Sequence, residues 1–374
     1  MSAMVILFVL ILAVYSWWIL RRAISWKLYP TSPSAQAISF KPRVTVVVAA
    51  RNEASRIDGL LDDLLMQDYP SQQMEIIISD DFSDDDTVEF AEKKLSSGKF
   101  EYRIVKAAAL DAQGKKHALW RAIAAAKGDI ILTTDADCRL STHWVASMVV
   151  KFHNPAINMI AGMVAIHNGK GLLSKFERMD QLVLSAVGAA SITTEAPLLC
   201  SGANLAFRKS AFERVGGYSY GINDPSGDDT YLMFQLGASV TFNKVKDSLV
   251  LTEPMGSIRG ILNQRIRWAS KMSGYGKPDI TLMGAFISLV NLVPLLLLVL
   301  CMIDFLPFWF FLVWLLLKFA LDMILLKPIA SFYKQSNALA ISPLYALVYP
   351  FYTLTALFTL FKKGYEWKGR RYGY

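Results

Sequence analysis

The stretch IILTTDADC, residues 130–138, is a run of apolar and β-branched side chains that stops on two aspartates spaced two apart. Such a run reads as a buried strand. A carboxylate withdrawn from water without a partner costs several kcal/mol, so a positive group must meet this pair. In an extended strand alternate side chains share a face, which predicts that Asp135 and Asp137 point the same way. Two carboxylates on one face suit Mg2+ or Mn2+, ions that complete their shell with substrate phosphates. A solvated acidic pair in a loop is the bland alternative.

Upstream of this strand the pattern repeats. VTVVVAA, residues 44–50, is continuously apolar, as a strand buried on both faces must be. Ile57, Leu60, Leu61, Leu64 and Leu65 recur at helical spacing behind a cap at Ser55, and MEIIISDD, residues 74–81, gives a second strand. A helix over 88–95, a strand over 102–106 and an alanine-rich helix over 117–126 lead to the fourth strand, 129–134. Alternating strands and helices of these lengths predict an α/β fold with a mainly parallel sheet and right-handed crossovers. Ligands of such sheets bind beyond the carboxyl ends of the strands, where Glu53, Asp80, Asp81, Asp135 and Asp137 all fall.

Composition divides the 374 residues differently. Hydrophobic residues make up 53%, and the excess is concentrated in residues 4–20, 280–303, 305–326 and 340–361. The expected organisation is a transmembrane anchor over 1–24, a catalytic domain over 40–270, transmembrane helices over 271–361 and a basic, aromatic tail over 362–374. The first apolar stretch has no basic residues before it and no small-residue cleavage site after it, so it reads as an anchor and not a removed signal peptide. Arg21, Arg22 and Lys27 follow it, which places the catalytic domain in the cytoplasm and the N-terminus outside. Three C-terminal crossings would then leave Lys362, Lys363, Lys368, Arg370 and Arg371 outside, against the same rule. One apolar segment is therefore expected not to cross fully, the candidates being the segment holding Lys318 and Asp322 and the one broken by Pro343 and Pro350. The segment over 172–192 reads either as an amphipathic helix on a membrane surface or as an ordinary core helix.

The formal charge of +8 suits anionic headgroups and phosphates. No basic patch interleaved with aromatics is present, so nucleic acid is excluded as a partner. Cys138, Cys200 and Cys301 have no paired spacing, which argues against a disulfide framework or a cysteine metal site.

Other polar groups each have two readings. Asp80 and Asp81 accept from a pyrimidine imino N–H, with Glu53 reaching the same nucleoside, or the stretch serves only to cap the next helix through Ser83 or a nearby Asp. Lys115 and Lys116 follow Gly114 and can meet a diphosphate as point charges. Gly227-Asp228-Asp229 opens a helix, where an acid serves as general base or as a plain cap. Gln264, Arg267 and Trp268 suit a diphosphate and a sugar ring, or an interfacial Arg/Trp belt.

Taken in order, VTVVVAARNE, IIISDDFSDDDT, GKKHAL, ILTTDADC, CSGANLAFRK, SGDDTYL and QRIRW resemble the successive motifs of glycosyltransferase family 2, the inverting GT-A enzymes, over residues 41–270. The resemblance implies a GT-A domain flanked by transmembrane helices and a nucleotide-diphospho-sugar donor, a UDP-sugar by family habit. It assigns the metal to Asp137 with Asp135, and the donor to Glu53, Asp80, Asp81, Lys115, Asp135, Gln264, Arg267 and Trp268. Gly202, Asn204, Asp228 and Trp268 fall on the acceptor side, and Asp229 falls on the catalytic base. The tail YEWKGRRYGY, residues 365–374, is similar to the ending of members that glycosylate ceramide or isoprenoid lipids. A membrane lipid acceptor in a bacterial inner membrane is thus expected, ahead of a processive polysaccharide synthase and of a non-catalytic scaffold or transporter.

Overall fold

A computed structural model describes residues 2–32, 40–108, 112–221, 227–269, 275–360, 365–367 and 370–372. Its elements begin with α1 (Ser2–Leu28), β1 (Val44–Ala50), α2 (Ile57–Leu65), β2 (Met74–Asp80), α3 (Thr87–Leu95), β3 (Glu101–Lys106), α4 (Lys115–Ala125) and β4 (Ile130–Asp135). They continue with β5 (Cys138–Arg139), α5 (Trp144–Val149), β6 (Met159–Ala161), β7 (Val164–Ile166), α6 (Gly171–Thr193), β8 (Leu205–Arg208), α7 (Lys209–Arg214) and α8 (Asp228–Leu236). β9 (Val240–Phe242), β10 (Val250–Thr252), α9 (Ile258–Ala269), α10 (Pro278–Met302), α11 (Phe308–Phe332), α12 (Ser342–Leu360), β11 (Tyr365–Trp367) and β12 (Arg370–Tyr372) complete the chain. Two compact units result: Pro30–His167 with Val187–Pro254, and Met1–Tyr29 with Asn168–Ala186 and Met255–Tyr374.

The first unit is built on a seven-stranded sheet of order β3-β2-β1-β4-β8-β6-β9. Only β8 runs against its neighbours, pairing antiparallel with β4 and β6. Both faces of β1 are covered, as its unbroken apolar run requires. Val44, Val46 and Val48 pack with Ile57, Leu60, Leu61 and Leu64 of α2 in one core. On the opposite face α4 lies over β1 and β2, and Ser79 donates to the Ala118 carbonyl at 2.8 Å. A second sheet of order β5-β10-β7 flanks the first.

Two local expectations are corrected. β4 ends at Asp135 and the chain turns at Ala136 and Asp137 before β5, so the two aspartates do not share one continuous strand. Ser55 does not cap α2; the amides of Arg56 and Ile57 donate to the Glu53 carbonyl, both at 2.9 Å, and the backbone closes the helix start by itself.

The second unit is helical. Ala3–Leu28, Pro278–Met302, Phe308–Phe332 and Ser336–Thr355 are long and apolar enough to cross a membrane. Their large side chains point mostly outward, among them Leu10, Trp17, Leu289, Leu296, Trp309 and Leu316, a surface that water does not tolerate over so large an area. Phe8, Val293, Leu297, Leu306 and Trp314 form the core between α1, α10 and α11. Lys318 and Asp322 pair at 2.8 Å on α11, and Tyr15 of α1 donates to the second oxygen of Asp322 at 2.5 Å. The helix kept Pro350 in its interior, whereas Lys362, Lys363 and Lys368 of the basic tail lie outside the described residues.

Lys318 and Asp322 neutralise each other, so removing either of the two strands a charge among apolar helices. Asp322→Ala is expected to lower the stability of the solubilised chain by about 3–5 kcal/mol, read by thermal or denaturant unfolding, whereas a Lys318→Met/Asp322→Leu double variant recovers most of the loss.

Candidate active site

Backbone pairing brings the acid-bearing strand ends together. Ala50 at the end of β1 is in register with Asp80 of β2, and Ala49 with Asp135 of β4. The amide of Asp81 then donates to the Ala50 carbonyl at 2.9 Å. Asp80, Asp81 and Glu53 are buried, at 7%, 2% and 6% exposure. Three of the carboxylates in this region are therefore held largely out of water, and each needs a donor or a cation.

α4 supplies one. Gly114 takes a φ of +114°, open to glycine and strained for other residues, and its amide donates to Asp81 at 2.9 Å. Lys115 follows as the first residue of α4, and its ammonium lies 2.5 Å from Asp135. Burial alone would lower the lysine, but the charges of Asp135, Asp228 and Asp229 outweigh it and hold Lys115 above the usual range. Lys116, its neighbour, points elsewhere: it donates to the Gly221 carbonyl at 2.5 Å and lies 4.9 Å from the centre of the Tyr231 ring.

Asp137 sits in the turn after β4, where Thr252 donates to it at 3.2 Å. Burial, then the negative charges of Asp135 and Glu53, push its carboxyl up to about 6. A carboxyl raised by neighbouring acids is relieved by any cation placed among them. The donor set suits a hard divalent ion, since the pair offers oxygens and no imidazole. Among the described residues no group of three or more His, Cys, Asp or Glu side chains is arranged to hold a metal alone. An ion here would draw the rest of its shell from phosphate oxygens and water.

α8 closes the region. Its cap, Gly227, has a φ of +91°, and Asp228 and Asp229 occupy the first turn, where the helix dipole favours negative charge. Asp229 accepts the Gly202 amide at 2.9 Å and the Thr230 amide at 2.7 Å. Thr133 of β4 donates to the Gly202 carbonyl at 2.7 Å, so one glycine is tied to the strand and to the acid at once. A Cβ at Gly202 would lie 3.3 Å from the Asp228 carboxylate, a tight contact between this loop and the first turn of α8. Burial, then Asp228, Asp229 and Cys200, drive the Tyr218 phenol well above its usual range.

Asp81, Lys115, Asp135, Asp137, Gly202, Asp228 and Asp229 are thus linked by direct bonds or by strong electrostatic coupling, and Glu53 joins through Asp137. Asp80 accepts the Ser83 amide at 3.2 Å within its own loop, a turn and not a helix cap, since α3 begins only at Thr87, whose amide donates to Asp85 at 3.1 Å. Asn204 is corrected: at 0% exposure it cannot contact an acceptor, because its amide donates to the carbonyls of Met163 and Ser248 at 2.8 and 2.7 Å and accepts from Trp144 at 3.0 Å. Gln264, Arg267 and Trp268 lie on α9, in the helical unit. Thr252 and Tyr218 stand in no quoted motif and were not legible as site groups, whereas Thr133 and Gly114 fall inside ILTTDADC and GKKHAL without their contacts being legible there.

Residues 45–216 match the model of Glycosyl transferase family 2. That segment of the chain is similar to family 2 glycosyltransferase domains. Over 244 residues the chain is 26% identical to an N-acetylglucosaminyltransferase of Bradyrhizobium diazoefficiens, covering 63% of this chain and 50% of that protein. Over 129 residues it is 30% identical to a beta-monoglucosyldiacylglycerol synthase of Trichormus variabilis, covering 34% of this chain and 27% of that protein. The chain spans about half the length of the N-acetylglucosaminyltransferases it matches. Among solved structures, a mannosyltransferase from Pyrobaculum calidifontis in complex with GDP-Man and Mn2+ shares the fold, with a TM-score of 0.61 at 22% identity over 96% of this chain and 97% of that one. The mixed sheet with flanking apolar helices is therefore a GT-A-like fold, as the motif order implied.

The internal bonding of Asn204 yields a direct check. Asn204→Ala strands two carbonyls and an indole N–H, and is expected to destabilise the chain by roughly 1–3 kcal/mol while the folded fraction keeps its nucleotide affinity, measured by thermal unfolding and calorimetry side by side.

Proposed function

We propose that the chain is a membrane-bound inverting glycosyltransferase that moves a sugar from a nucleotide-diphospho-sugar, a UDP-sugar, to a hydroxyl of a membrane lipid. The observation that carries this reading is the coupling of Lys115 to Asp135, Asp228 and Asp229, which unites the strand-end acids with the first turn of α8. Four helices able to cross a membrane support a lipid acceptor, as does the partial likeness to a beta-monoglucosyldiacylglycerol synthase. The catalytic unit is assigned to the cytoplasmic side of a bacterial inner membrane, since Arg21, Arg22 and Lys27 follow the first apolar helix.

In this reading Glu53 and Asp81 hold the nucleoside, and Lys115 turns from Asp135 toward the diphosphate when the donor enters. Asp137 and Asp135 would hold Mg2+ or Mn2+, which supplies positive charge beside the diphosphate when bound. Asp229 is the general base. Its two backbone hydrogen bonds fix the carboxylate, and it takes the proton of the acceptor hydroxyl as that oxygen attacks the anomeric carbon. The new carbon–oxygen bond forms as the bond to the diphosphate breaks on the opposite face, so configuration inverts and the nucleoside diphosphate leaves with the electron pair. Asp228 and Gly202 border the acceptor side. Gln264, Arg267 and Trp268 of α9 offer a guanidinium and an aromatic face of the kind that suits a diphosphate and a sugar ring.

The test is transfer measured by mass spectrometry from a panel of nucleotide sugars to a lipid extract, with the chain in nanodiscs. Asp229→Asn is expected to reduce turnover by about 10²–10⁴-fold with donor binding retained. Equal loss of binding and turnover would remove Asp229 from the base role, and a polymer-sized product would favour a processive synthase.

A further inference from the structure

α6 carries an unusual row of buried polar side chains for a helix grouped with four apolar ones. Ser174, Glu177, Arg178, Asp180 and Gln181 are all at or below 9% exposure. Three of them reach other elements of the helical unit. Glu177 accepts the backbone amide of Met255, ahead of α9, at 2.7 Å. Arg178 donates to Asn337, ahead of α12, at 2.5 Å. Asp180 binds both helices at once: Arg265 of α9 donates to one carboxylate oxygen through Nε at 2.7 Å and through Nη2, and Tyr345 of α12 donates to the other at 2.9 Å. Tyr352 accepts from the same guanidinium at 3.1 Å.

The pair is deeply enclosed, with side-chain exposures of 11% for Arg265 and 2% for Asp180. An ion pair in such a place contributes little net stability over an apolar pair of the same volume, so its presence calls for a role in specificity of geometry. The geometry indicates which group benefits. The Arg265 guanidinium lies 4.4 Å from the centre of the Trp268 ring, one helical turn further along α9. Its Nε and Nη2 are taken up by Asp180 and its face lies against the indole, while Phe176, Tyr345 and Tyr352 wall the cluster through ring contacts at 5.1 and 5.7 Å.

We propose that Arg265, clamped by Asp180, is a positioning residue that sets the Trp268 ring for the sugar. The proposal rests on the reading of Trp268 as a substrate contact, and it concerns residues of α6 and α9 to which the motif order assigns nothing. Arg265 does not touch substrate; it acts through the indole.

The experiment uses the full chain in nanodiscs, labelled with 5-fluorotryptophan, with the Trp268 signal assigned by its loss in Trp268→Phe. The variant is Asp180→Leu/Arg265→Met, which removes the charges as a pair and keeps the volume, so the thermal midpoint is expected to stay within a few degrees. The Trp268 fluorine line is expected to shift and broaden, and transfer turnover to fall by about 10²-fold with the donor KM near that of the parent. In a Trp268→Phe background the same pair of changes is expected to cost less than about threefold more, since residues acting through one another are not additive. An unchanged fluorine line, or losses that multiply in the Trp268→Phe background, overturns the proposal. Should the double variant fail to fold, Arg265→Lys keeps the charge and loses the fork and the stacking, and the same two readouts decide. If the parent chain transfers no sugar from any donor, the functional reading falls while the fluorine line still decides whether Arg265 positions Trp268.

Discussion

One half-buried ammonium links the acids of the sheet unit. Lys115 pairs with Asp135 at 2.5 Å and feels the charges of Asp228 and Asp229, which outweigh its desolvation. Without it the end of β4 and the first turn of α8 would present like charges to each other. With it, a positive charge stands between them, and the Gly114 amide ties the start of α4 to Asp81. The region is nevertheless short of positive charge. Asp137 remains raised to about 6 by burial, Asp135 and Glu53, an excess of negative charge that the proposed cation would offset.

Much of this was legible beforehand, for reasons that can be named. Strands buried on both faces have no polar alternation to blur them, so β1, β2 and β4 stand out as apolar runs, and each ends on polar residues because the sheet ends there. Register within a parallel sheet then brings those ends side by side without further information. What stayed hidden depends on contacts between distant segments. The turn at Ala136–Asp137 replaces the shared strand face, yet the two carboxylates still feel each other. Asn204 stands in the motif CSGAN beside Gly202, but one residue faces the acids and the other points into the core. Thr133 and Thr252 carry no signal at all, since a hydroxyl aimed at a backbone or a carboxylate looks the same in sequence as any other.

The helical unit shows the converse. Its apolar spans were plain from composition, whereas its polar interior was not: Asp180 and Arg265 lie 85 positions apart and meet only through the packing of α6 on α9 and α12. Lys318 and Asp322 were legible because helical spacing puts them on one face, and Tyr15 completes them from another helix. Ion pairs in apolar surroundings serve here as fixed points between helices whose remaining contacts are non-directional.

The central claim is that the acids around Lys115 take up a divalent cation together with a diphosphate. Electron paramagnetic resonance of Mn2+ tests it directly, because the sharp signal of the free ion is lost on binding. Titrated into the chain with uridine diphosphate present, the Mn2+ signal is expected to fall to one bound ion per chain, and Asp137→Ala is expected to leave it free. A signal unchanged by the chain and nucleotide together, or equally quenched in Asp137→Ala, would contradict the account.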